Sequence, residues 1–210
     1  MAIQAVFGGP QSPENDGMWV MNGGMWYLQG NKEEIDPYIQ KTIALPHIIT
    51  VEGDNKFHVL HAQLDRDGDV ITDEMLANIS EIEPLALKTF TYDGAVVLWG
   101  RMIFRLLHGK NLLSDGALHH VEKFVATCMY HKLTNWMQTD KLSNIYVGHT
   151  PIFNPVKVDK LINLDTGVHY AGSKEKDSRY GLTITQVGTD NFWKINDNGI
   201  QSVELVEIST

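Results

Sequence analysis

The sequence has one cysteine, no long apolar run and no excess of positive charge. Cys128 is the only cysteine among 210 residues, which excludes an intrachain disulfide framework and a cysteine-rich zinc site. No stretch approaches the roughly 20 apolar residues that cross a bilayer, and no basic region followed by an apolar one stands at the N-terminus. We therefore expect a cytoplasmic protein that is neither secreted nor inserted in a membrane.

Acidic residues outnumber basic ones. The chain has 26 Asp and Glu against 17 Lys and Arg, a formal net charge of −9. Such a surface repels nucleic acid and anionic membranes, so neither is expected as a partner, although a local basic site remains compatible with this charge. With 210 residues, 43% of them hydrophobic, the chain is long enough for one sizeable core or two small ones.

Glycine and apolar spacing divide the chain into segments. The glycine-rich start, including "GMWVMNGGMWYLQGN", predicts neither helix nor strand. Apolar residues four apart at Ile35, Ile39 and Ile43 then predict a short helix that ends before Pro46. The runs "HIITVEG" and "KFHVLHAQ" predict a hairpin that turns at residues 53–55.

The middle of the chain, about 73–140, is predicted to be mostly helical, and the remainder to be β-structure. Apolar residues three and four apart occur in "TDEMLANISEI", "GAVVLWGRMIFRLLHG" and "DGALHHVEKFVATCMYHKL". Strands are predicted at "NIYVGH", "KLINLDT", "YGLTITQV", "DNFWKIN" and "SVELVEI". No repeat or low-complexity linker interrupts the sequence, so we predict a single domain over 1–210 with a mixed α/β or α+β fold.

Two histidines stand at the exits of apolar strands. His61 follows "FHVL" and His149 follows "IYVG", and strand ends are where α/β folds place side chains that handle ligands. A lone histidine in this position is better explained as a cap of a backbone group, but two of them can share a metal ion. They are 88 positions apart, so only tertiary folding could bring them together.

Other candidate residues are better explained structurally. The segment "QLDRDGDVITDE" overlays part of a calcium-binding loop, but Gln63 replaces the first aspartate and a strand precedes it. An acidic solvated loop is therefore the preferred interpretation. Arg101 lies in the apolar run "VVLWGRMIF" and suits a phosphate group, yet with Arg105 it also fits the wet face of a helix. The remaining histidines considered are assigned to the surface or to packing: His108, His119, His120, His131 and His169.

Four segments, in order, resemble the calcineurin-like metallophosphoesterases, and among them the phage and bacterial serine/threonine protein phosphatases of the lambda phosphatase type. They are "WVMNGGMWYL", "LPHIITVEGDNKFHVLHAQLD", "VLWGRMI" and "YVGHTPIFNPVKVDKLINLDTGVHYAG". The last resembles the family's Gly-His-Thr-Pro segment followed by an Asp-Thr-Gly strand, which is the most specific of the four. The resemblance covers most of the chain and implies part of an αββα sandwich with mixed sheets.

The resemblance also implies a site and a reaction. His61 and His149 would bind one ion of a two-metal centre, and Arg101 would hold the substrate phosphate. Manganese, or another divalent transition metal, would be the cofactor. The reaction would be hydrolysis of a phosphoprotein or a small phosphomonoester, through a metal-bridging hydroxide that attacks phosphorus in line. If the protein is phage-encoded, its location would be the host cytoplasm.

The chain departs from this family in two respects. Gly100 stands where the family has an asparagine beside the arginine, which affects how Arg101 would be positioned. The motifs Gly-Asp-x-His-Gly, Gly-Asp-x-x-Asp-Arg-Gly and Gly-Asn-His-Glu are absent from the sequence. In the family these supply most metal ligands, so whether this chain is an enzyme by itself is left open.

Three interpretations therefore stand side by side. The chain supplies the C-terminal part of a Ser/Thr phosphatase and is completed by a separate N-terminal chain or by an upstream extension. Alternatively, it is an inactive phosphatase descendant that binds a protein partner or a second copy of itself. A third alternative is a nucleotide or dinucleoside-polyphosphate hydrolase of the same superfamily.

Overall fold

A computed structural model describes residues 25–43, 45–46, 48–62, 71–80, 137–171 and 179–208. The chain divides into two compact units, Met1–Pro46 and His47–Thr210. The segments around Arg101 and Cys128, and most of the acidic loop that begins at Gln63, lie outside the described residues. In the part of the chain that is described, no helix is long and apolar enough to cross a membrane.

The described part of the first unit contains two helices, α1 (Met25–Gln29) and α2 (Lys32–Ile43). The predicted helix over Ile35, Ile39 and Ile43 is confirmed. Asn31 caps it, because its Oδ1 accepts the backbone N–H of Glu33 at 3.1 Å. The short α1 was not predicted, since the glycine-rich start was expected to form neither helix nor strand.

The second unit contains mixed α/β structure, with nine strands and two helices among its described residues. The strands are β1 (Ile48–Val51), β2 (Phe57–Leu60), β3 (Asn144–Val147), β4 (Val156–Val158), β5 (Leu161–Asn163), β6 (Leu182–Thr185), β7 (Phe192–Asn196), β8 (Gly199–Val203) and β9 (Val206–Ile208). The helices are α3 (Asp73–Ser80) and α4 (Val168–Ala171).

Six strands form a mixed sheet in the order β1-β2-β3-β5-β4-β9. The predicted hairpin is confirmed as the antiparallel pair of β1 and β2. Strands β2, β3 and β5 are parallel neighbours, so their C-terminal ends lie at the same edge of the sheet. This parallel arrangement determines where the ends of β2 and β3 meet.

Alternate residues of the central strands pack on opposite faces of this sheet. Ile145 and Val147 of β3 join one apolar cluster, which also contains Leu76 of α3. Tyr146 of the same strand joins a second cluster on the opposite face, together with Phe192 of β7. The central strands are therefore buried on both sides, which explains why "IYV" is apolar throughout.

Strands β6, β7 and β8 form a separate antiparallel sheet in that order. Gly188 lies in the turn before β7, and Gly199 is the first residue of β8 after a two-residue turn. Their φ values of 81° and 96° favour glycine. The predicted strand "SVELVEI" is in fact two strands, because β8 ends at Val203 in this sheet and β9 pairs with β4 in the larger one. Strand β4 was not predicted.

A buried polar network links α3 to the larger sheet. His58 of β2 is fully buried, and its Nδ1 and Nε2 each lie 2.9 Å from a partner, Thr50 Oγ1 and Asp73 Oδ1. Asp73 also accepts hydrogen bonds from the backbone N–H of Ser143 at 2.7 Å and from its hydroxyl at 2.8 Å. Every one of these polar groups has a partner, so the network can lie under the helix without a large desolvation cost.

Hydrogen bonding lowers the pKa of the Asp73 carboxyl. Burial alone would raise it, but the hydrogen bonds from Ser143 and His58 favour the carboxylate and outweigh that effect. A carboxyl whose pKa is lower in the folded state stabilises the fold above its ordinary pKa. That contribution is lost as the pH falls through the folded value.

We predict that the free energy of unfolding decreases between about pH 5 and pH 2, and that Asp73→Asn makes this decrease smaller. At pH 7 the variant should be less stable by about 2 kcal/mol, because the hydrogen-bonded carboxylate is lost. Urea unfolding over this pH range measures both effects. Asp190→Asn, in an exposed turn, is the matched control and should leave the pH dependence unchanged. An Asp73→Asn profile parallel to that of the wild type would contradict the prediction.

Candidate functional site

The two histidines singled out in the sequence lie next to each other. His61 follows β2 directly, and His149 follows β3 after one glycine. His61 Nε2 and His149 Nδ1 are 3.1 Å apart, and the ring centroids are separated by 4.7 Å with an interplanar angle of 49°. His61 is exposed and His149 is half-buried, so the pair is accessible at the edge where the parallel strands end.

Backbone hydrogen bonds fix the two strand ends relative to each other. Gly148 donates its N–H to the carbonyl of His61 at 3.0 Å, which extends the pairing of β2 and β3 beyond their last residues. Leu164, just after β5, donates to the carbonyl of Val147 at 2.9 Å. The ladder therefore reaches His61 on one strand and Gly148, the residue before His149, on the other.

His149 is the central residue of a tight three-residue turn. Its φ is 67°, and Thr150 donates its N–H to the carbonyl of Gly148 at 2.8 Å. A turn closed between residues i and i+2 with positive φ at its centre is rare and strained. Residues other than glycine avoid positive φ at a cost of about 1–2 kcal/mol, so the backbone at His149 is held in an unfavourable conformation.

Asn163 at the end of β5 holds this turn in place. Its side chain is fully buried, and its Nδ2 donates to the carbonyl of Thr150 at 2.9 Å. Its Oδ1 accepts the backbone N–H of Asp165, also at 2.9 Å. One amide thus connects the loop after β3 to the loop after β5. Sequence reasoning did not single out Asn163; its signal was a polar residue inside the apolar strand "LIN".

Asp165, the aspartate of the Asp-Thr-Gly segment, packs beside Gly148. Its Cβ lies 3.6 Å from the point where a side chain on Gly148 would begin, so Gly148 leaves room beside it. However, Asp165 Oδ1 accepts the backbone N–H of Gly167 at 2.9 Å. Asp165 therefore shapes the loop after β5, and the described residues contain no group of three or more metal-ligating side chains.

The hydroxyl of Thr150 is buried beside the histidine pair. Among the described residues and their contacts, its Oγ1 has no hydrogen-bond partner. A buried hydroxyl without a partner costs about 1–3 kcal/mol. The backbone N–H and carbonyl of Thr150 hold the turn, so its hydroxyl is not needed for that purpose.

The remaining candidates have separate outcomes. Arg101, the predicted phosphate-binding residue, lies outside the described residues, as do Gly100, Arg105, His108, His119, His120 and His131. His169 is exposed on α4, as predicted. At the end of the calcium-loop-like segment, Asp73 and Glu74 lie in α3, and the Asp73 carboxylate faces His58.

No family model matches the chain, and no curated protein matches it. The resemblance to metallophosphoesterases therefore depends on the motifs in the sequence and enters the interpretation as a proposal. The geometry of the histidine pair is independent of that resemblance.

The strained turn leads to a prediction about stability. We expect His149→Gly to be more stable than His149→Ala by about 1 kcal/mol, because alanine keeps the unfavourable positive φ and glycine does not. Urea denaturation of the two variants measures the difference, and both lose the same imidazole. At Glu207, an exposed residue of β9, the same pair of substitutions should give the opposite order. An alanine variant at 149 that equals the glycine variant would contradict this account of the turn.

Proposed function

We propose that this chain provides part of the active site of a metal-dependent phosphoesterase of the calcineurin-like type. In this proposal His61 and His149 bind one divalent transition metal ion, with manganese as the expected metal. The observation that carries the proposal is the 3.1 Å separation between His61 Nε2 and His149 Nδ1, across 88 positions of sequence.

The separation of the two nitrogens fits a shared metal ion. Imidazole nitrogens lie about 2.0–2.2 Å from a divalent transition metal, so two adjacent ligands are about 3.0–3.4 Å apart. A direct hydrogen bond between the two rings has a similar length. The strained backbone at His149 and the buried hydroxyl of Thr150 favour the metal interpretation, since neither is needed for a hydrogen bond between two rings.

The layers of the fold are compatible with an αββα sandwich. The larger sheet packs against α3 on one face, and residues of the smaller sheet join the apolar cluster on the other. Helix α3, the larger sheet and the smaller sheet would be three successive layers of the sandwich. A helical layer outside the smaller sheet would be the fourth. The single domain over 1–210 is part of the same proposal.

Within this site, each described residue has a definite task. The neutral imidazoles of His61 and His149 hold the ion, and Asn163 keeps the His149 turn in position through the carbonyl of Thr150. The bound metal would act as a Lewis acid on a phosphoryl oxygen and lower the pKa of bound water. Arg101 is proposed to bind the phosphate with its guanidinium.

Two imidazoles do not complete a catalytic metal site. We propose that oxygen ligands come from segments of this chain outside the described residues, from a complementing chain or from a second copy. Strand β6 supports pairing with another polypeptide: it is an edge of the smaller sheet as described, with Leu182 and Ile184 nearly half exposed. Exposed apolar edge strands favour β-pairing with a partner. The proposed substrate is a phosphoprotein or a small phosphomonoester.

We predict that the chain binds Mn²⁺ or Co²⁺ through the histidine pair. His61→Ala and His149→Ala should each weaken the affinity by more than about 100-fold, because each removes one of two described ligands. Calorimetry with Mn²⁺ and the visible absorption of bound Co²⁺ both measure this. His169→Ala removes an exposed histidine of α4 and is the matched control. Equal affinity in all three variants, or no binding by the wild type, would contradict the proposal.

The reaction itself needs a separate experiment. Hydrolysis of p-nitrophenyl phosphate should depend on added Mn²⁺ and disappear in His149→Ala. It should be measured for the chain alone and with a polypeptide carrying the absent glycine-aspartate motifs. Metal binding without hydrolysis in either case would show that the site is a metal centre with another role.

A further inference from the structure

A row of four aromatic rings joins the loop after β3, helix α4 and the segment just before β6. It consists of Phe153, Tyr180, Tyr170 and His169, and we call it the aromatic row. The centroids of Phe153 and Tyr180 are 5.2 Å apart, those of Tyr180 and Tyr170 are 5.0 Å apart, and those of Tyr170 and His169 are 3.7 Å apart. Interplanar angles of 40–45° make each contact a tilted stack.

One end of the aromatic row is closed by protein and the other is open to solvent. Phe153 and Tyr180 are partly buried, and the guanidinium of Arg179 lies 4.2 Å from the Phe153 centroid. By contrast, Tyr170 is 42% exposed and His169 is also exposed. Loop packing explains the closed end. It does not explain why the row continues into solvent through two stacked rings on α4.

The Lys194 ammonium holds the closed end of the aromatic row in place. Lys194 is only 6% exposed, and its Nζ donates to the carbonyls of Phe153 at 2.6 Å and Arg179 at 2.9 Å. A longer contact, 3.4 Å, joins Nζ to Asn154 Oδ1. Burial lowers the pKa of Lys194. Three acceptors from two loops converge on one ammonium group, so the ring-bearing loops are fixed before any ligand arrives.

Gly167 places the open end of the row close to the histidines. Its φ is 69°, and a Cβ there would lie 2.5 Å from Tyr180 Cδ1 and 3.1 Å from Tyr170 Cδ2, so both rings rest on its backbone. Gly167 is two residues, at most about 7 Å, from Asp165. Asp165 in turn packs beside Gly148, the neighbour of His149. The rings and the imidazole pair therefore share one edge of the sheet.

We propose that the aromatic row binds the base of a nucleotide, so that the phosphate ester handled at the histidine pair is a nucleoside phosphate. This inference rests on the proposed function of His61 and His149. A purine or pyrimidine ring would stack at the open end of the row, which is formed by the exposed rings of Tyr170 and His169. Bases stack on aromatic side chains in this way in proteins that bind single strands. Only the base is recognised by stacking, so the rest of the substrate would be selected at the metal site.

The test compares two phosphate esters that differ in the base. Adenosine 5′-monophosphate and ribose 5-phosphate carry the same charged group, and binding is measured by calorimetry in the presence of a chelator, so that no metal contributes. We expect the nucleotide to bind at least about five-fold more tightly, the lower limit for stacking one base on an aromatic side chain. Equal affinities of the two compounds for the wild-type chain would overturn the proposal without any variant.

Substitutions show which residue is responsible for the preference for the nucleotide. Tyr170→Ala should reduce the affinity for adenosine 5′-monophosphate to that for ribose 5-phosphate, while Tyr170→Phe should retain the preference because the ring remains. Tyr38→Ala, at a tyrosine of α2 that is 69% exposed, is the matched control and should change nothing. A nucleotide preference that survives Tyr170→Ala would overturn the assignment to the aromatic row.

The two proposals fail in different ways. If the nucleotide binds through Tyr170 while Mn²⁺ does not bind through the histidines, the base site stands and the phosphoesterase proposal is wrong. If Mn²⁺ binds through the histidines while the two esters bind equally, the metal site stands and the nucleotide proposal is wrong. In an active preparation, Tyr170→Ala should raise KM for the nucleotide and leave KM for p-nitrophenyl phosphate nearly unchanged.

Discussion

The parallel pairing of β2, β3 and β5 is the constraint on which the site depends. Parallel neighbours end at the same edge, so the residue after β2 and the turn after β3 meet although 88 positions separate the two histidines. The hydrogen bond from Gly148 to the carbonyl of His61 carries the pairing up to the imidazoles. A shift of one residue in this register would turn one histidine toward the opposite face of the sheet.

Two unfavourable local features of the fold are each supported by hydrogen bonds. The positive φ of His149 is held by Asn163 through the carbonyl of Thr150. The buried ammonium of Lys194 is surrounded by acceptors from two loops. Strain and buried polar groups that are supported in this way are typical of functional sites, because a loop selected only for stability would avoid them.

The sequence predicted the parts of this structure that depend on local pattern. The spacing of Ile35, Ile39 and Ile43 predicted the helix, and two strand-like runs joined by a turn at residues 53–55 predicted the hairpin. Strand β4 is three residues long, too short for an alternating pattern to be recognised. The split of "SVELVEI" between two sheets depends on tertiary pairing that no local pattern encodes.

The sequence predicted the two histidines of the site, but not the residues that hold the surrounding loops in place. His61 and His149 were identified because each follows an apolar strand, and the structure brings them together. Asn163 and Lys194 were missed because a single polar residue inside a strand looks like an interruption of the pattern. Their roles depend on carbonyl groups of distant loops, which only the folded chain brings within reach. Arg101 stays a prediction, since it lies outside the described residues.

The contact between His61 Nε2 and His149 Nδ1 has a consequence for how a metal could enter. A hydrogen bond between these two nitrogens requires a proton on one of them, whereas a shared ion requires a lone pair on both. Without a metal ion, one of the two nitrogens carries a proton and donates it in a hydrogen bond to the other. With a metal ion bound between them, the donor imidazole must carry that proton on its other ring nitrogen. The same rigid pair can therefore hold either a proton or an ion at nearly the same spacing. The strand ends would not have to move for the ion to bind, because the exchange needs only a change of tautomer.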